Sequence, residues 1–366
     1  MPTLWGERIS RQELLRRVGS LDQVAGVRLV TLGDGNERGV RVLEFRTGTG
    51  FEFDVIVDRA FDIGRCELGG RAIGWQSGVG FGGPWFAEYE DLGWLRNWGG
   101  GLVTTCGLEH AMFMAEDTAT QYHYPPKQTE RFGLHGRVSN RPARLAAYGH
   151  RWEGDECILY AEGEVLQASV FGEHLLLRRR IEARVGESRF TIHDEVENVG
   201  WDPTPHMYLY HVNVGFPVVD EGAEILVPAR NVIPRGDYPA EGYRVLEGPQ
   251  PAYVERVFEH EVIAEKDGSV PVAVVNRARG LGAYEVFNAR QLPFHFVWRM
   301  VGEGTYVIGI EPSSNRPSGR LDARQRGELA ILQPGEKRVY DLEIGALDGE
   351  AEIAAFAQRV AALGGV

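Results

Sequence analysis

The sequence predicts an all-β protein, an antiparallel sandwich with short helical segments only near its ends. Three observations predict it. Apolar and polar residues alternate with a period of two in separate stretches, glycine-rich turns punctuate the chain, and almost no mid-chain segment shows a helical repeat. The 366 residues, 43% of them hydrophobic, are enough to bury a large core. There is no repeat of fixed period and no low-complexity linker. Residues 1–24 therefore read as an N-terminal helical extension and residues 25–366 as one β domain.

The elements follow in chain order. Residues 9–19 predict a helix: Ser10 and Glu13 have capping-box spacing, Leu14, Leu15 and Val18 share a side, and Gly19 is a stop. Gly33-Asp34-Gly35-Asn36 is a turn between strands. Phe51, Phe53, Val55 and Val57 alternate with Glu52, Asp54, Ile56 and Asp58, the pattern of a half-buried strand. Residues 77–101, rich in glycine and aromatics, predict a long ordered loop, a kind of segment that often carries function.

Residues 175–198 predict a hairpin turning at Gly186-Glu187. Its register sets Leu177 opposite Val196, Ile181 opposite Ile192, Arg178 opposite Glu195 and Arg179 opposite Asp194. The run Arg178-Arg179-Arg180 then reads as a cross-strand ion-pair ladder on a solvated face. Residues 350–363, rich in Ala and Glu, predict a final helix.

Composition excludes several classes of function. A net charge of −13 disfavours nucleic acid and anionic membranes. No apolar run reaches the length of a membrane span, and the first residues do not form a signal peptide. Cys66, Cys106 and Cys157 are odd in number, widely separated and without a CxxC, which points away from a disulfide framework or zinc knuckle and towards a reducing, cytoplasmic setting.

Four places carry polar residues that simple structure does not require. In Gly133-Leu134-His135-Gly136-Arg137, His135 sits beside small residues that would let a ligand approach; the alternative is a loop histidine bonded to backbone. In the strand 208–214, His211 and Asn213 share a face with Met207 and Leu209, which suits either a pocket floor or a satisfied core histidine. Glu311 ends an apolar strand before Pro312. It is either a rim acid or a carboxylate whose partial burial fits it for general-base work. Arg59, Asp62, Trp75, Gln76, Arg96 and Asn97 bring guanidinium and amide groups beside tryptophan. Those are sugar-binding materials, though ion pairs under a loop explain the arginines as well. His110, His123 and His295 are weaker pocket candidates. A metal site from Glu109, His110, His123 and His135 lacks HxH or HExxH spacing, so no metal is expected.

Taken together, GLHGR (133–137), YHVNVGFP (210–217) and GIEP (309–312) resemble the galactose mutarotase-like, or aldose 1-epimerase, superfamily. DRAFDIG (58–64) and WLRNWGGGLVTTCG (94–107) resemble a bacterial branch of it. The resemblance spans roughly residues 25–345. It implies an antiparallel β-supersandwich with a sugar cleft on one sheet face. It also implies acid–base isomerisation of a monosaccharide, with Glu311 as general base, His211 as general acid and His135 as a second histidine. Arg59, Asp62, Trp75, Gln76, Arg96, Asn97, Arg137 and Asn213 are then candidates for binding the sugar, and neither a metal nor a redox cofactor is required. An aspartate that grips sugar hydroxyls in characterised members has no clear counterpart among Asp194, Asp220 and Asp237. This leaves open a non-catalytic sugar-binding protein, or an isomerase of a keto-sugar or uronate with or without a metal. Apolar loops around Trp85 and Trp98 fit either a homodimer contact or the cleft wall.

Overall fold

The computed structural model describes residues 1–364. Two large antiparallel sheets, of 11 and 8 strands, account for most of the chain. One apolar core draws on both: Phe45, Phe53 and Ile310 from the larger sheet, Leu177, Ile192 and Leu342 from the smaller. The architecture is an antiparallel β-supersandwich, as predicted. No helix among the described residues is long and apolar enough to cross a membrane.

The N-terminal helix is shorter than the spacing predicts, running Arg11–Leu15. Ser10 caps it by accepting from the Glu13 N–H at 3.2 Å, but only Leu14 of the apolar stripe is buried. One buried side chain does not propagate a helix whose remaining face is solvated. Leu4, Leu14 and Leu21 join the same core as the two sheets. At the other end, helix Glu350–Ala362 buries Ile353, Phe356 and Val360 against Val275 and Tyr284.

Strands His174–Arg184 and Arg189–Asn198 pair in the predicted register. Arg178 faces out to Glu195 and Glu197 at 3.0 and 2.6 Å. The expected ladder is corrected at Arg179, which is fully buried. It bonds Asp194 at 2.7 Å and Asp62 at 2.8 Å, and it donates to the hydroxyls of Thr105 and Tyr208. The alternation itself explains this: Leu175, Leu177, Arg179, Ile181 and Ala183 all point between the sheets.

Five adjacent strands of the larger sheet prepare the site, in the order Arg256–Val262, Phe294–Gly302, Thr305–Ser313, Leu209–Gly215 and Val103–Cys106. Their inner faces enter the main core. Their outer faces carry a second apolar cluster that includes Leu209, Phe296 and Val307, covered by Trp94 and Trp98 from the loop at 77–101.

Candidate active site

On that outer face lies a cavity of about 330 Å³, the size of a small-ligand pocket. His211 and Glu311 come from neighbouring strands. The register sets Val212 opposite Ile310 and so brings the two side chains together. His211 Nε2 lies 3.4 Å from Glu311 Oε1, and the residues are only 4% and 2% exposed. The glycine of GIEP makes room for this: a methyl group at Gly309 would collide with the Glu311 carboxylate. Gly309 also pairs with Trp298, whose indole forms another part of the wall.

His135 enters from a loop with φ of +58°, held by its N–H to the Met112 carbonyl at 2.8 Å. The expected purpose of its small neighbours is corrected. Gly136 bridges to Gly107, and a side chain there would strike the carbonyls of Gly107 and His110. The glycine thus permits backbone to approach backbone, not ligand. The His135 ring packs on Trp94 at 4.7 Å and meets His211 edge-on at 5.6 Å. Trp94 stacks on Trp98 at 4.7 Å, and Trp98 leans on Trp298 at 5.7 Å. Three tryptophans and two histidines therefore enclose the carboxyl of Glu311.

Their electrostatics follow from burial. Desolvation, aided by the charge of Glu255, pushes the Glu311 carboxyl well above its ordinary range. Desolvation lowers His211 to about 4, and burial with the nearby histidines lowers His135 well below its usual value. Burial thus favours an uncharged pair, with one proton on Glu311 and a neutral imidazole at His211. Buried His211 Nδ1, His135 Nδ1 and Glu311 Oε1 lack hydrogen-bond partners in the protein. Such orphaned polar atoms are costly unless a ligand or water meets them.

Of the residues predicted from sequence, Glu311, His211 and His135 come together at this cavity. Trp98, expected at a dimer contact or the cleft wall, lines it too, and the sugar-binding candidates lie outside. Arg59 is buried and donates to the carbonyls of Gly82 and Asn97, which anchors the loop that carries the tryptophans. Asp62 bonds Thr105 and Arg179 in the inter-sheet core. Trp75 backs Trp98 at 5.1 Å. Gln76 is exposed beside Gly100, and Arg96 faces Glu88 on the surface at 3.4 Å. The Asn97 amide donates to Gly93, and that of Asn213 to the carbonyls of Gly101 and His211. Arg137 is enclosed by Glu109, Glu130 and Glu173. Asp194 binds Arg179, Tyr208 and Tyr210, while Asp220 binds Arg279.

Among the described residues, no group of three or more His, Cys, Asp or Glu could hold a metal ion. His110 is bonded to the Phe113 carbonyl, His123 is exposed near Asp202, and His295 faces the core beside His260 and Glu285. Trp298 and Glu255 escaped sequence reasoning. Trp298 had a signal, since Phe296 and Trp298 alternate onto one face of a strand. Glu255 precedes its strand with no pattern around it.

The fold is that of the galactose mutarotase-like superfamily. A family model described as a domain of unknown function, DUF4432, matches residues 37–346, and the chain belongs to that family. Comparison with curated proteins gives no match. Among solved structures, a Klebsiella pneumoniae protein described provisionally as an aldose 1-epimerase is 26% identical. It superposes with a TM-score of 0.84 over 94% of this chain and 91% of its own. A galactose mutarotase-like protein of Clostridium acetobutylicum is 12% identical, with a TM-score of 0.60 over 88% of this chain and 98% of its own. A galactose 1-epimerase of Lactobacillus acidophilus, also 12% identical, has a TM-score of 0.56 over 88% of this chain and 99% of its own. The last two likenesses are of fold.

Proposed function

We propose that the protein interconverts the anomers of a monosaccharide by general acid–base catalysis, with Glu311 and His211 as the proton-transferring pair. The observation that carries this reading is their placement. A carboxyl and an imidazole stand 3.4 Å apart, buried, in a cavity of monosaccharide size walled by tryptophan. Indole faces suit the C–H face of a pyranose.

Ring opening needs one proton removed from the anomeric hydroxyl and one delivered to the ring oxygen. The pair holds one proton. In the resting form that burial favours, Glu311 donates to the ring oxygen while His211 accepts from the anomeric hydroxyl. The C1–O5 bond breaks, an aldehyde forms, and the pair becomes carboxylate and imidazolium. After rotation about C1–C2, closure runs the transfers backwards: His211 returns its proton to the carbonyl oxygen, and Glu311 takes one from the C5 hydroxyl. The resemblance implies the opposite transfers on opening, with Glu311 as base at the anomeric hydroxyl and His211 as acid at the ring oxygen; burial favours starting with the proton on Glu311. His135, edge-on to His211, orients that ring and offers a nitrogen to a sugar hydroxyl. Charged intermediates of the pair arise next to each other, so their mutual attraction offsets part of the desolvation.

The test is NMR of freshly dissolved α-anomers, wild type beside Glu311→Gln. Wild type should accelerate anomerisation of at least one aldose, and the variant should retain binding with its rate reduced on the order of 10²–10⁴-fold. Equal rates for the two proteins would sink the reading. Binding by both without acceleration would mark a sugar-binding protein instead.

A further inference from the structure

The cavity wall has few groups able to meet hydroxyls. Its polar side chains are Glu311, His211, His135 and Glu255. The first two are committed to the reacting oxygens under the reading above. Glu255 already accepts the Trp298 indole N–H at 2.6 Å. The other two indoles are also spent within the protein: Trp94 donates to Ser139 at 2.8 Å, and Trp98 to Thr104 at 3.0 Å. The tryptophans therefore offer faces and no donors. Among the lining side chains, His135 and the second oxygen of Glu255 are left to bind hydroxyls other than those that react.

The cavity also has a direction. Glu311 and His211 are buried at its floor, whereas Leu92, Leu95 and Phe113 are 45%, 46% and 57% exposed at its mouth. A ring bound with its anomeric carbon on the floor points C3, C4 and the C5 substituent at these apolar groups. A hydroxyl that the bound ring presses against these side chains gives up water for no partner and costs free energy, while a hydrogen or methyl in its place gains apolar contact. No lysine or arginine lines the cavity among the described residues, and two carboxyl groups do. A phosphate or carboxylate on the substrate would meet no countercharge.

We propose that the substrate is a neutral deoxy sugar, lacking one or more hydroxyls at the end of the ring remote from C1. This rests on the anomerisation reading for which end of the ring goes to the floor. It separates the protein from catalysts of fully hydroxylated aldoses, and it disfavours a uronate.

The experiment measures anomer exchange by NMR for matched pairs. These are D-glucose with its 3-, 4- and 6-deoxy forms and D-galactose with its 6-deoxy form, run beside glucuronate and glucose 6-phosphate. Binding of the same compounds to Glu311→Gln is measured by calorimetry. The expected result is a kcat/KM on the order of 10-fold or more higher for at least one deoxy sugar than for its parent, with the charged sugars inactive. Parents equal to or better than every deoxy form, or a charged sugar preferred, would overturn the proposal. Turnover without deoxy preference would overturn it while leaving the anomerase reading intact. Tighter binding of deoxy sugars with no turnover of any would uphold it and remove that reading. Neither binding nor turnover with any sugar would overturn both. Leu95→Gln supplies a polar group at the mouth and should shift preference back towards the parent hexose; an unchanged ratio would count against the mouth as the selecting element.

Discussion

Residues 208–211 serve two buried polar sites that behave in opposite ways. Tyr208 and Tyr210 point inward, where their hydroxyls donate to Asp194, which is also bound by Arg179. His211, one residue on, points outward to Glu311. Both sites are almost free of solvent. In the inner one each charge meets an opposite one, although burial still raises the Asp62 carboxyl above its ordinary range. Burial alone would lower the Arg179 pKa, but Asp194, Tyr208 and Asp62 hold it well above its ordinary value. In the outer one Glu311 and His211 are both pushed towards their neutral forms. The difference separates a buried polar group that holds the sheets together from one that burial leaves uncharged and facing a cavity. Partnered charge resists titration, whereas unpartnered titratable groups are free to exchange protons with a ligand.

The largest effect that would break this comparison is at Arg179. Arg179→Met leaves Asp62 and Asp194 buried without a cation, and chemical denaturation should show a loss of ~3–5 kcal/mol. A loss near zero would mean the inner network is dispensable. Glu311→Gln should do the reverse for stability. A carboxyl whose folded pKa is raised stabilises the fold fully only below its unfolded value, and that contribution is lost as pH rises towards the folded value. At neutral pH an uncharged amide removes the penalty, so the melting temperature should hold or rise by ~2 °C or more, even as catalysis fails. A clear fall in melting temperature would show that the carboxyl is structural.

The pH profile sharpens the same contrast. A pair that works with one proton loses activity on the acid side only when His211 also protonates, near 4. Anomerisation should therefore persist below pH 6, where an ordinary histidine would already be charged. A half-point near 6.5 would mean that His211 titrates as though exposed. The smallest effect is expected one residue from the largest. Arg178→Ala removes surface pairs with Glu195 and Glu197 and should cost below ~1 kcal/mol. A cost matching that of Arg179→Met would erase the distinction between the two faces of the strand.

Much of the fold was legible because its information is local. The hairpin register followed from matching both faces of 175–198, and the final helix followed from its composition. The three polar residues that meet at the cavity were legible from short motifs. The surrounding arginines were not. Arg59, Arg96 and Arg137 look alike as polar residues near tryptophan or histidine, yet one anchors a loop, one lies on the surface and one is enclosed by three glutamates. Their partners lie as far as 38 residues away, a separation at which no periodicity speaks.

By itself, the sequence determined that the chain alternates into antiparallel strands and which residues share a strand face, and it marked His211, Glu311 and His135 as places where a pocket role and an ordinary structural one both fit. Side-chain alternation is a property of the extended backbone and needs no knowledge of the partner. Only the tertiary structure decided which face of each strand meets the other sheet. That choice put Arg179 among acids and His211 among tryptophans, and it spent the indole N–H groups inside the wall. Face and partner depend on how two sheets and a long loop close over one another. That closure joins residues far apart in the chain, and through burial it sets what each titratable group can do.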